Sequence, residues 1–143
     1  MLTAVIAVSG ATSAIDTSSI AYGQITETTV EAEKVAISVS DTERIVREYF
    51  KDIPVMIQVA RCESHFRHEL SDGTILKGRV DPADTGVMQI NKRFHESTAI
   101  KLGLDLDNIE DNLAYARYLY EKQGTKPWNA SAPCWNKTLA YGN

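Results

Sequence analysis

Apolar residues fall at Ile45, Val46, Tyr49, Phe50 and Ile53, which is one face of a helical period. Asp41 stands ahead of them as a cap, so the spacing predicts a helix opening there. Pro54 breaks or restarts it, with Asp52 available at the new N-terminus. From Pro54 to about Phe66 the chain is apolar nearly all round, through Val55, Met56, Ile57, Val59, Ala60 and Cys62. That pattern predicts a buried central helix. Ser71-Asp72-Gly73 and Asp81–Gly86 carry turn chemistry, and the stretches after them, Thr74–Val80 and Val87–Asn91, predict two short strands of a hairpin. Ser97–Leu102 reads as a helix stopped by Gly103. Asn108 caps a longer one bearing Ile109, Leu113, Ala116, Leu119 and Tyr120 and ended by Gly124. Thr125–Asn143, with Pro127 and Pro133, reads as irregular. The expectation is an α+β, predominantly helical domain with a central buried helix and a small β-hairpin, over residues 41–143.

The first 40 residues read differently. Met1–Ala14 has an apolar centre followed by small residues, the outline of a secretory signal without its positive start. Ser18–Thr29 is Ser/Thr-rich and reads as linker, and Val35, Ile37 and Val39 alternate as a weak strand signal. This stretch holds Lys34 against Asp16, Glu27, Glu31 and Glu33, so most of the excess negative charge sits in it. With 143 residues, 43% of them hydrophobic, the chain suits one globular domain with a tail. A net charge of −4 argues against a nucleic-acid partner, and no apolar run is long enough to insert stably in a membrane. Cys62 and Cys134 are the only cysteines. In an exported chain they predict one disulfide, worth about 4 kcal/mol by loop closure. In a cytosolic one they would be two buried thiols.

Glu63 follows Val59 by four and Met56 by seven, which puts a carboxylate on the apolar stripe of the most buried helix. Lost hydration disfavours its charged form, and a carboxyl kept protonated near neutrality is a general acid. The alternative is a buried ion pair with Arg61 or Arg67.

Three segments then bear on the choice. Cys62-Glu63-Ser64-His65-Phe66 is similar to the Glu-Ser-x-Phe signature of the soluble lytic transglycosylases, lysozyme-like enzymes that cleave peptidoglycan. Thr85-Gly86-Val87-Met88-Gln89-Ile90 resembles that family's Ser-x-Gly-Leu-Met-Gln-Ile motif. Asn112 to Leu119 looks like its Asn-x-x-x-Gly-x-x-Tyr-Leu helix, with Ala116 in place of Gly. The three come in the family's order and span about Asp41 to Trp135. The resemblance implies a lysozyme-like fold, with Glu63 on the catalytic acid/base, Met88 and Gln89 lining a sugar groove, and Gly86 close to the glycan. Thr85 falls near the family's Ser. The family's Ala-Tyr-Asn-Ala-Gly stretch, whose Tyr supports the catalytic Glu, has only Pro127-Trp128-Asn129-Ala130-Ser131 as its counterpart here. Trp128 has only an N–H donor, so Tyr115 and Tyr118 are the other candidates for a supporting hydroxyl. The candidate groove is therefore Thr85, Gly86, Met88, Gln89, Tyr115 and Trp128.

The remaining residues add little chemistry. Trp128 and Trp135 are sugar platforms or core, with core the commoner fate of a large aromatic. His65 and His68 stand one helical turn apart, but with no His-Glu-x-x-His motif and no fourth ligand at metal spacing to join them and His95, neither a metal nor another cofactor is expected. Ser64 fits no nucleophile–base arrangement. Asp81 and Asp84 lie in turn-forming sequence, where Asp commonly bonds the local backbone. The function expected from the resemblance is a monomeric, secreted or cell-envelope lytic transglycosylase. It would cleave between N-acetylmuramic acid and N-acetylglucosamine of peptidoglycan glycan strands and leave a 1,6-anhydromuramyl end. The rivals are a hydrolytic muramidase using Glu63 with Asp81 or Asp84, and a glycan-binding module without turnover.

Overall fold

The computed structural model describes residues 36–140. The signal-like stretch, the linker and Val35 lie outside them. Five α-helices and a two-stranded antiparallel sheet make up the described chain. Helix α1 (Val39–Tyr49) is capped by Ser38, whose Oγ accepts from the Asp41 backbone N–H, so the helix opens ahead of the expected cap and Asp41 sits in its first turn. Helix α2 (Pro54–Ser64) starts at the proline but takes no cap from Asp52. Asp52 instead pairs with Arg117 and is held down to about 2, chiefly by that hydrogen bond.

The hairpin is smaller than expected and shifted along the chain. Strand β1 (Asp84–Thr85) pairs with β2 (Ile90–Asn91), with Thr85 opposite Ile90. Thr74–Val80 forms only isolated bridges, Ile75 with Glu69 and Lys77 with Thr85. Helix α3 (Lys92–Lys101) is capped by the Asn91 side chain and begins well before Ser97; Gly103 follows it with φ 74°. Helix α4 (Ile109–Gln123) starts as read, with Asn108 Oδ1 accepting from the backbones of Glu110 and Asp111. Beyond Gly124 the chain is helical where irregular structure was expected. A 3₁₀ segment (Lys126–Ser131) runs into helix α5 (Ala132–Ala140).

One core holds these elements together. Val46 and Phe50 of α1, Met56, Val59 and Ala60 of α2, Val87, Met88 and Ile90 of the hairpin, and Leu113, Ala116 and Leu119 of α4 are all buried in it. Helix α2 packs on α1, α5 and the 3₁₀ segment, but Arg61 is exposed and Cys62 and Glu63 are half-buried. Helix α4 therefore shares the central place, with Ile109, Asn112, Leu113, Tyr115, Ala116 and Leu119 all buried. The expected Cys62–Cys134 disulfide is formed and ties the end of α2 to α5, with Cα atoms 6.0 Å apart. Among the described residues no helix is long and apolar enough to cross a membrane.

Candidate active site

Glu63 stands in the last turn of α2. Immediately beyond it the chain turns sharply, because His65 (φ 54°) and Phe66 (φ 58°) both adopt the left-handed conformation. That conformation costs a side-chain-bearing residue on the order of 1 kcal/mol or more. Burial of Phe66 in the core and the Arg47 guanidinium over its ring offset the cost. The turn leaves the Glu63 carboxyl half-buried at the junction of two arms of a cleft. Glu63, Asp84 and Gln89 line both arms. One arm, about 300 Å³, continues past Asn91, Phe94, His95 and Trp128. The other, about 500 Å³, continues past Arg67, Lys77, Arg79 and Val80.

Burial pushes the Glu63 carboxyl up from its ordinary value, and the nearby Asp84 carboxylate acts in the same direction. The opposing influence is a 2.6 Å hydrogen bond from Ser131 Oγ to Glu63 Oε1. Neither Arg61 nor Arg67 is ion-paired with Glu63; Arg67 Nε instead donates to the Ser64 carbonyl at 3.1 Å. Ser131 thus supplies the supporting hydroxyl. Tyr115 does not, since it is buried with its hydroxyl 3.2 Å from His95 Nδ1, and Tyr118 packs against the Tyr115 ring. Ser131 Oγ also lies 3.1 Å from the Trp128 carbonyl. One hydroxyl hydrogen serves only one of these acceptors at a time. With Glu63 ionised, Ser131 donates to the carboxylate. With Glu63 protonated, the carboxyl donates to Ser131 Oγ, and Ser131 donates to Trp128.

The residues read as groove divide into two sets. Gln89 faces the cleft from a left-handed backbone (φ 50°), with Nε2 donating to the Gly86 carbonyl at 2.8 Å and Oε1 without a partner among the described residues. Trp128 touches the smaller arm but is mostly buried, with Nε1 donating to the Met88 carbonyl at 2.9 Å. Thr85, Gly86 and Met88 lie beneath the cleft rather than in it. Thr85 is fully buried, and its Oγ1 donates to Asp107 at 2.7 Å and accepts from Lys77. The Met88 side chain is fully buried too, and its backbone N–H donates to Asn112 Oδ1 at 3.0 Å. Gly86 (φ 69°) is needed by the core, because a Cβ there would lie 2.7 Å from Asn112 Nδ2 and 2.8 Å from the His68 ring.

His68, weighed from sequence only as a metal ligand, and Asn112, read only as the first residue of a matched motif, are the supports of this turn. Val87 N–H donates to His68 Nδ1, which makes Nε2 the protonated nitrogen and directs it to the Asp107 carbonyl at 2.9 Å. Burial pushes the His68 pKa down. Asn112 Nδ2 donates to the carbonyls of Thr85 and Leu106. Asn91 was also missed. Its Nδ2 donates to Asp84 Oδ1 at 2.8 Å and Asp81 Oδ2 at 2.9 Å, while its Oδ1 caps α3.

Asp81 and Asp84 part company. Asp81 accepts from the Ala83 backbone, Asn91 and Arg93, so it serves the turn, and the backbone bond leads in lowering its pKa. Asp84, held by Asn91, faces the cleft with Glu63. The three histidines occupy separate settings: His65 on the larger arm, His95 on the smaller, His68 inside. Among the described residues no three of His, Cys, Asp or Glu converge on a common point. Trp135 is buried beside the disulfide, its Nε1 donating to the Trp128 carbonyl.

The arrangement can deliver a proton from Glu63 to a group lying across the junction of the arms and take one back. No protein-family model matches the chain, and no curated protein or solved structure is matched by it either.

Proposed function

We propose that the chain is a peptidoglycan lytic transglycosylase with a lysozyme-like fold and that Glu63 is its catalytic acid and base. The observation that carries this reading is a half-buried carboxyl, ion-paired with no described residue, at the midpoint of a two-armed cleft. Two arms meeting at one proton donor suit a polymer bound on both sides of the bond that breaks. Glu63 protonates the oxygen bridging N-acetylmuramic acid to N-acetylglucosamine. The carboxylate it leaves takes the proton of the muramyl C6 hydroxyl, whose oxygen closes on C1 to give the 1,6-anhydro end. The nucleophile belongs to the substrate, so the step needs no water and no second protein carboxylate. Ser131 hydrogen-bonds Glu63 in both of its protonation states. Gln89 Oε1 is placed to accept from an acetamido N–H. The disulfide is compatible with an extracytoplasmic location, and the working form is read as a monomer acting on glycan strands.

Asp84 favours a second reading. It shares both arms with Glu63, and a carboxylate opposite the acid is what a hydrolytic muramidase uses to guide water or steady the sugar cation. Digestion of purified peptidoglycan separates the two. Anhydro ends that resist borohydride are expected; borohydride-reducible ends would establish hydrolysis, and intact strands would leave the glycan-binding module.

A further inference from the structure

The two arms of the cleft differ in charge. The smaller holds no cation except His95, whose pKa burial pushes down, and it ends at Phe94, 74% exposed. The larger carries Arg67, Lys77 and Arg79. Lys77 is committed, with Nζ on Thr85 Oγ1 and Asp107 Oδ1. The acidic Asp81 is committed as well, to Arg93, Asn91 and the turn backbone. Arg67 and Arg79 have no ion-pair partner among the described residues. Among the described residues Arg67 is anchored only through Nε on the Ser64 carbonyl, and both terminal nitrogens of its guanidinium have no acceptor there. Arg79 sits in a loop pinned to β1: the Gly78 N–H donates to the Asp84 carbonyl at 3.0 Å, and a Cβ at Gly78 would lie 2.3 Å from the Asp81 carbonyl oxygen. Beside it Val80 is 100% exposed at the lip of the same arm.

We propose that this arm is a carboxylate-binding subsite, in which Arg67 and Arg79 take the acidic substituent on the lactyl group of a muramyl residue. The inference rests on the peptidoglycan reading and deepens it, since it makes muramyl units the preferred occupants of one arm and neutral sugar the occupant of the other. A guanidinium fork matches the geometry of a carboxylate, and two of them lining one arm suit a group bearing more than one. The exposed Val80 offers an apolar contact to the lactyl methyl or to an alanine next to it. The charge asymmetry also fixes which way the strand lies across Glu63.

The test reads binding apart from turnover, in the Glu63→Gln protein, by calorimetry. The ligands are a disaccharide carrying its stem peptide, the same disaccharide with a free lactyl carboxylate, and a neutral N-acetylglucosamine oligomer. Either acidic ligand should bind more tightly than the neutral one, and added salt should erode that preference. Arg79→Gln should cut the ratio of acidic to neutral affinity, and the Arg67→Gln/Arg79→Gln pair should cut it by roughly fivefold or more. The Arg79 side chain bonds to nothing among the described residues, so its removal does not disturb folding. Comparison of the two acidic ligands shows whether the peptide or the lactyl carboxylate is held. A ratio unchanged in both variants, or absent in the parent, overturns the subsite. If the Glu63→Gln protein binds acidic ligands through the arginines but the protein with Glu63 intact never cleaves strands, the subsite is upheld and the catalytic reading removed. Cleavage independent of the arginines does the reverse.

Discussion

Replacing Ser131 with alanine removes the hydrogen bond that most directly sets Glu63. In the ionised state that bond, 2.6 Å long, is charge-assisted and worth about 1.5–3 kcal/mol. In the protonated state the same pair makes a neutral bond worth about 1 kcal/mol. The loss therefore falls more heavily on the carboxylate, by about 1 kcal/mol once water entering the half-buried site is allowed for. At about 1.4 kcal/mol per unit, the Glu63 pKa should rise by about half to one unit. A general acid works only while protonated, so the alkaline limb of the kcat/KM profile on peptidoglycan should move to higher pH by that amount. Ser131→Thr, which keeps the hydroxyl, should return the limb to its place. A limb that stays put in Ser131→Ala, or moves toward acid, would refute the reasoning, even if activity fell uniformly.

Glu63→Gln should lower turnover by roughly 10²–10⁴. It should also raise Tm at neutral pH. Burial lifts the folded pKa above the unfolded value of 4.5, so stability tied to this group is full below 4.5 and is lost as pH rises through the folded value. Gln escapes that loss, and melting curves of the two proteins should converge in acid. Asp84→Asn keeps the bond to Asn91 but removes a negative neighbour, so the alkaline limb should shift toward acid with turnover largely kept. A loss as deep as that of Glu63→Gln would instead make Asp84 the water-guiding partner. Gly86→Ala should cost about 1–3 kcal/mol in urea unfolding, since its Cβ meets Asn112 and His68 at 2.7–2.8 Å on a left-handed backbone.

What the sequence made legible was local. Asn108, Gly103, Gly124 and Pro54 mark helix ends because caps and breakers act within a few residues. Thr74–Val80 misleads because a strand exists only with a partner along its length, and here its backbone bonds are scattered. Leu76 donates to His68 while accepting from Gly86, and Gly78 donates to Asp84. The prolines of the C-terminal part mislead in another way. Pro127 and Pro133 look like breakers but occupy first-turn positions, where the missing N–H is no loss. Glu63 was visible from its place on an apolar stripe. Ser131 was not, since nothing along the chain links it to a residue 68 positions away. The Thr85–Met88 motif showed its strength for a different reason than expected. The Thr85 hydroxyl bonds Asp107, the backbone N–H groups of Val87 and Met88 bond His68 and Asn112, and of the motif's matched positions only Gln89 and Ile90 reach the cleft.

The disulfide gains a meaning from where it lies. Cys62 adjoins the acid, and Cys134 is one helical turn beyond the hydroxyl that serves it. The crosslink therefore clamps together the two strands of covalent chain from which donor and acceptor project. Loss of the crosslink would bear first on that 2.6 Å contact, since Val46, Met56 and Leu113 are held in the core by packing rather than by the crosslink. On the proposed reading, a reduced chain should lose turnover at a reductant concentration that leaves its Tm largely in place.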